Sequence, residues 1–164
     1  MLFSVPIRRL IAATLVCASV VLGASFLIGS GNAASAGTPA HTCSVTDKQF
    51  MTTVRSNMDQ LDYWSESFQS GDVAPGVVIK QARAESAQVA ATSPADPSLL
   101  TARSLLRKMF LEYAAAVHAK AMGASPGSHV RNAYTLANGV HELLVQAQPG
   151  MAGKGCDLTP LLKS

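Results

Sequence analysis

The sequence is poor in the side chains that most often carry chemistry. Aromatic residues make up 5% and charged residues 14% of 164 positions, with three cysteines, four histidines and one tryptophan. No glycine-rich phosphate loop, nucleophile elbow or zinc-ligand spacing occurs, so no motif points to a catalytic residue or a metal site. Alternation of apolar and polar residues never lasts more than a few positions, which argues against a β-sheet protein. The net charge of +3 is partly local to the start of the chain. From residue 37 onward, 11 Lys+Arg (13 minus Arg8 and Arg9) face 10 Asp+Glu, a nearly neutral balance. A nucleic-acid binder needs a basic stripe, and none is present.

What the sequence does have begins at its N-terminus. Arg8 and Arg9 precede a charge-free run from Leu10 to Ile28, and Ala34-Ser35-Ala36 then offers a small-residue cleavage site before Gly37. A positive start, an apolar core and an A-x-A site are the order of a secretory signal, predicted here for residues 1–36. The apolar run is 19 residues, long enough to span a bilayer. The alternative is therefore an uncleaved anchor that contacts the membrane only through residues 10–28. In either case the arginines on the near side leave the rest of the chain outside. The expected location is secreted or extracytoplasmic.

Cys17 lies inside the signal, which leaves Cys43 and Cys156 as an even pair in an oxidising compartment. Their pairing as one disulfide is predicted. Closing so long a loop is worth about 4–5 kcal/mol in the chain-entropy account.

The rest of the chain reads as helix. Residues 37–45 form a flexible lead, and Thr46-Asp47-Lys48-Gln49 has the form of a capping box. Beyond it Phe50, Val54, Leu61, Trp64 and Phe68 recur at helical spacing until Ser70-Gly71. A second helix is expected over Val77–Ala91 with Val78, Ala82 and Val89 inward; Gln81, Arg83 and Glu85 read as surface positions. Asp96-Pro97 opens a third helix, whose stripe of Leu99, Ala102, Leu106, Phe110, Tyr113 and Val117 is widened by Leu105, Met109 and Leu111. Ser125-Pro126 repeats that opening. The fourth helix is expected to bury Val130, Ala133, Ala137, Val140 and Leu144 and to stop at Pro149-Gly150. Four helices with short loops predict an all-α, antiparallel up-down four-helix bundle over residues 46–148, closed by one disulfide. Residues 149–164 are then a tail that carries Cys156. In such a bundle the start of the first helix and the end of the fourth share an end, where the two cysteines would meet.

Candidate ligand-binding residues follow from the turn at Gly123–Ser125. His118 and His129 lie at similar distances on either side of it, so they fall at similar height on antiparallel helices. Trp64 is expected at the same end, and Tyr113 and Tyr134 one turn further from the tip. Two imidazoles beside aromatic rings could ligate a haem iron, although structural roles for both histidines are the simpler reading. Asp59, Asp62 and Glu66 share a face opposite the apolar stripe of the first helix and read as solvated.

A signal, an early cysteine, helices throughout and the late Cys156-Asp157-Leu158-Thr159-Pro160-Leu161 together resemble the small exported haem-carrying, haemophore-like proteins of mycobacteria. The resemblance implies haem capture through Tyr and His side chains. The residues themselves point to an exported, non-enzymatic helical domain that binds a small apolar ligand or an envelope protein, with no resident cofactor. A haem carrier and a small exported enzyme are the alternatives.

Overall fold

Four helix starts and stops written into the sequence organise the chain. In the computed structural model, which describes residues 42–163, they delimit α1 (Val45–Ser70), α2 (Pro75–Ala91), α3 (Pro97–Ala121) and α4 (Gly127–Gly153), followed by a single turn, α5 (Thr159–Leu162). There is no strand among the described residues. The signal segment 1–36, its membrane contact through residues 10–28 and most of the lead lie outside the described residues.

The cap of α1 is two residues earlier than the capping box suggested. Ser44 Oγ, not Thr46, accepts the Asp47 N–H at 3.0 Å. This frees the Asp47 carboxylate for a longer-range task described below. Gly71 ends α1 in the left-handed region (φ 85°), where a residue without Cβ is favoured, and Asp72 N–H closes back on Ser67 O at 2.9 Å. α2 begins two residues before the expected Val77 because Pro75 already occupies its first turn. α3 opens as the sequence indicates, with Asp96 Oδ1 accepting the Ser98 N–H at 2.9 Å. The Ser125-Pro126 pair repeats that device only weakly: Pro126 is the cap residue of α4, and Ser125 Oγ accepts the Gly127 N–H at 3.5 Å.

A further correction concerns Pro149, which lies inside α4 rather than at its end. Proline removes one helical hydrogen bond, to the carbonyl of Val145, and costs about 3 kcal/mol in a helix interior. Val145 is an exposed position, where water can reach the chain, and continuing the helix buries Met151 to 1% exposure. Left-handed Gly155 (φ 74°) then turns the chain, and Cys156 N–H bonds Met151 O at 2.9 Å. The helical region thus runs past residue 148, and the tail is itself partly helical.

The core is built largely from the expected stripes, although Val130, Ala133 and Ala137 of α4 and Trp64 and Phe68 of α1 are only half-buried. Phe50, Val54, Met58 and Leu61 of α1 meet Ala82 and Val89 of α2, with Leu99, Leu106 and Phe110 of α3 between them and Val140 and Leu144 of α4 beyond. Helix α3 contributes the most buried residues, since α2 and α4 both pack closely against it. Leu111, expected to widen its stripe, faces solvent instead. Helices α1 and α2 run close together over a shorter stretch than α2 with α3 or α3 with α4, and the surface between them is indented.

One end of the molecule is clasped by polar groups and the disulfide. Cys43 and Cys156 are bonded, with Cα atoms 4.8 Å apart across a separation of 113 residues. Beside them the buried Asp47 carboxylate accepts the N–H groups of Ala95 (2.7 Å) and Asp96 (3.1 Å), pinning the start of α1 to the α2–α3 connection. Asp96 in turn accepts Lys154 Nζ at 2.8 Å from the end of α4. Burial would raise the Asp96 pKa, but hydrogen bonds from Lys154 and Ser98 and the Lys154 charge outweigh it and hold the carboxyl below its ordinary value.

Candidate functional site

The residues singled out from sequence do not converge on one cavity. His118 is exposed on α3. His129 has a side chain 39% exposed, and its Nδ1 lies 2.7 Å from Glu112 Oε2 on α3. That contact anchors the first turn of α4 and is a structural one. Tyr113 is half-buried and its hydroxyl bonds Ser65 Oγ at 2.6 Å, tying α3 to α1. Tyr134 is an exposed residue of α4. Trp64 differs from the rest: half-buried on α1, it meets the ring of exposed Tyr63 edge-on, centroids 5.0 Å apart at 71°. Among the described residues no group of three or more His, Cys, Asp and Glu is placed to hold a metal.

Two features were not anticipated. The first is Glu85, read as a surface residue but completely buried on the inner face of α2. Its backbone carbonyl accepts the amide of buried Asn57 on α1 (3.2 Å), yet neither carboxyl oxygen has a hydrogen-bond partner. Burial pushes its pKa up to about 7, against a smaller downward pull from the Gln81 amide. Tyr113 is raised by its own burial, an effect lessened by the Ser65 hydrogen bond and reinforced by the nearby charges of Glu85 and Asp62. Asp62, expected to be fully solvated, is half-buried. The spacing did carry a signal for Glu85. It stands three residues after Ala82, four before Val89 and seven after Val78, squarely in the inward stripe.

The second feature is a pair of open grooves between α1 and α2, of about 540 and 390 Å³. Arg55, Asp59, Gln60, Tyr63 and Trp64 line the larger with Gln81 of α2. Gln49, Thr53, Asn57 and Gln88 line the smaller. Thr52 and Ser56 belong to both, so the grooves are consecutive along one helix face. Gln81 Nε2 donates to Gln60 Oε1 (2.8 Å), linking the two helices at the larger groove. Most of the groove walls are side chains of α1, and α2 contributes Gln81 to the larger and Gln88 to the smaller. Glu85 lines neither groove.

Compared with known proteins, the chain matches no family model, no curated protein and no solved structure. Its function is therefore argued from this geometry alone.

Proposed function

We propose that the chain is an exported, non-enzymatic binding protein whose ligand or partner occupies the indented face between α1 and α2. The observation that carries this reading is the Tyr63–Trp64 pair, with Tyr63 61% exposed at the rim of a groove furnished with hydrogen-bonding side chains. Paired aromatic rings with a wet edge are a frequent feature of recognition surfaces. The groove is shallow and the strongly shifted carboxyl of Glu85 is sealed away from it, which favours binding over acid–base catalysis. Export is supported by the signal-like residues 1–36 and by the Cys43–Cys156 disulfide, the kind of bond that persists in oxidising compartments. No helix among the described residues is long and apolar enough to cross a membrane.

The architecture that accompanies this reading is an antiparallel up-down four-helix bundle closed by the disulfide. Contacts at both ends support it. Asp47, Asp96, Lys154 and the cysteines gather at one end, while Lys120 of α3 lies 4.8 Å from the Phe68 ring of α1 near the other. A haem carrier would need ligands other than His118 with His129, since the one is exposed and the other is engaged by Glu112.

The test is site-specific photocrosslinking in the producing cell. A photoreactive phenylalanine at position 63 should give a discrete covalent adduct, and one at exposed position 131 on α4 should not. Equal adducts from both positions, or none from 63, would overturn the proposal.

A further inference from the structure

We infer that the ligand of the α1/α2 face is a neutral polyhydroxylated chain, an oligosaccharide or polysaccharide, lying along α1 from Tyr63 toward Gln49. This rests on the binding reading above and adds the chemical class of what is bound. The lining of the two grooves carries the argument. None of the residues that line them is aliphatic, although the opposite side of α1 is rich in Phe, Val, Met and Leu. A groove for an apolar peptide face, a lipid chain or a flat hydrophobic cofactor is lined by such side chains. Here the carbon surface of the larger groove comes from Tyr63, Trp64 and the stems of polar side chains, and amides and hydroxyls stand among it: Gln49, Thr52, Ser56, Gln88 and the mutually bonded Gln60 and Gln81.

The charge balance narrows the class. Arg55 and Asp59 are the charged members, one of each sign and one helical turn apart, so the face carries no net charge. Polyanions such as nucleic acids or sulfated glycans would be drawn to clustered Lys and Arg, which this face lacks. Amide and hydroxyl groups both donate and accept, matching the hydroxyls of a sugar, each of which does the same. The aromatic pair at one end supplies the remaining element. The C–H-bearing face of a sugar ring is weakly positive and packs on the negative face of an aromatic ring, while Tyr63 keeps its hydroxyl end in water.

The dimensions suit a chain rather than a single ring. Gln49 to Tyr63 is 14 residues of helix, about 21 Å at the helical rise of 1.5 Å per residue. Thr52 and Ser56, shared by both grooves, make the track continuous.

Trp64 is the only tryptophan in the chain and lines the track, so its emission reports occupancy without a label. The purified, disulfide-intact protein should be titrated with hexamers of glucose, mannose, galactose, arabinose and N-acetylglucosamine, and with dextran sulfate as the polyanionic counterpart. At least one neutral hexamer should shift or quench the emission saturably. Tyr63→Ala and Gln81→Ala should each weaken that binding at least tenfold with unchanged melting, and Gln88→Ala should weaken the hexamer but not the corresponding dimer. His118→Ala, on an exposed site of α3, should bind as the parent does. Binding of dextran sulfate in preference to every neutral hexamer, or no saturable response below about 1 mM, overturns the assignment. If crosslinking from position 63 still captures a partner in that event, the binding face stands and only its ligand class falls. If both experiments fail, the face itself is wrong.

Discussion

Replacing Glu85 by Gln removes a buried ionisable group while keeping its size and shape. In the native structure the carboxyl is fully buried between α2 and its neighbours, its oxygens without hydrogen-bond partners and its pKa raised from 4.5 to about 7. Gln81 on its own helix, Asn57 on α1 and Tyr113 on α3 lie about it, and none supplies a positive charge. Folding therefore takes up a proton in the window between these two values. A folded-state pKa above the unfolded one means stability that is complete below pH 4.5 and is lost as pH rises through 7. The difference of about 2.5 units corresponds to about 3 kcal/mol. Urea denaturation of the parent and of Glu85→Gln at pH 4, 5.5, 7 and 8.5 reads this directly. The difference in unfolding free energy between them should grow by about 3 kcal/mol in favour of Gln from the lowest to the highest pH, with most of the change between 4.5 and 7. A constant offset would reflect how well the amide fits and does not bear on the argument. Parallel pH profiles, or a Gln variant that loses stability relative to the parent as pH rises, would show that Glu85 is not buried in this environment.

Reduction of the disulfide, or joint replacement of Cys43 and Cys156 by Ser, should lower stability by about 4–5 kcal/mol; mass spectrometry with and without reductant should differ by two hydrogens, and two freely alkylated thiols in the native protein would refute the bond. Truncating Phe110 or Leu106, both in the core on α3, to Ala should cost about 2–5 kcal/mol in denaturant melts, whereas a cost under about 0.5 kcal/mol would mean the wrong face is buried. Asp96→Ala removes the cap of α3 and the partner of Lys154 and should cost about 1 kcal/mol at neutral pH. Because the Asp96 pKa is depressed, that loss should shrink as pH falls below the ordinary carboxylate range; a loss independent of pH would mean the carboxylate contacts contribute nothing.

Much of the framework was legible in the residues. Local rules were sufficient at Gly71, where a left-handed residue must end α1, at Asp96-Pro97, which caps and starts α3, and at the spaced apolar stripes of all four long helices. The parity of the cysteines and the geometry of short-looped helices predicted the disulfide before its atoms were placed. Local rules misplaced Pro149 and the α1 cap. There the competing gains were non-local: burial of Met151, and a carboxylate of Asp47 needed by the α2–α3 connection.

The candidate site was less legible, for two physical reasons. Residue type and residue position disagreed at Glu85. The helical period placed it inward, while the cost of burying a charge argued for the surface, and a neutral, protonated carboxyl is how the fold reconciles them. His118 is exposed and His129 meets Glu112, a detail that spacing could not supply, since matched height on two helices does not set the rotation of either side chain about its axis. The groove residues on one face of α1 are mostly polar, but Trp64 was read as part of the apolar stripe and lines the larger groove instead. Whether such a face lies open to solvent or forms the wall of a binding track depends on how closely a second helix approaches, and that distance is set by packing across the whole core. The sequence by itself determined that the chain forms four long helices, about where each lies and which side carries most of its apolar residues, because those depend on neighbours within one or two turns. Only the tertiary structure decided that α1 and α2 leave an indented track between them, with aromatic, amide and hydroxyl groups along it.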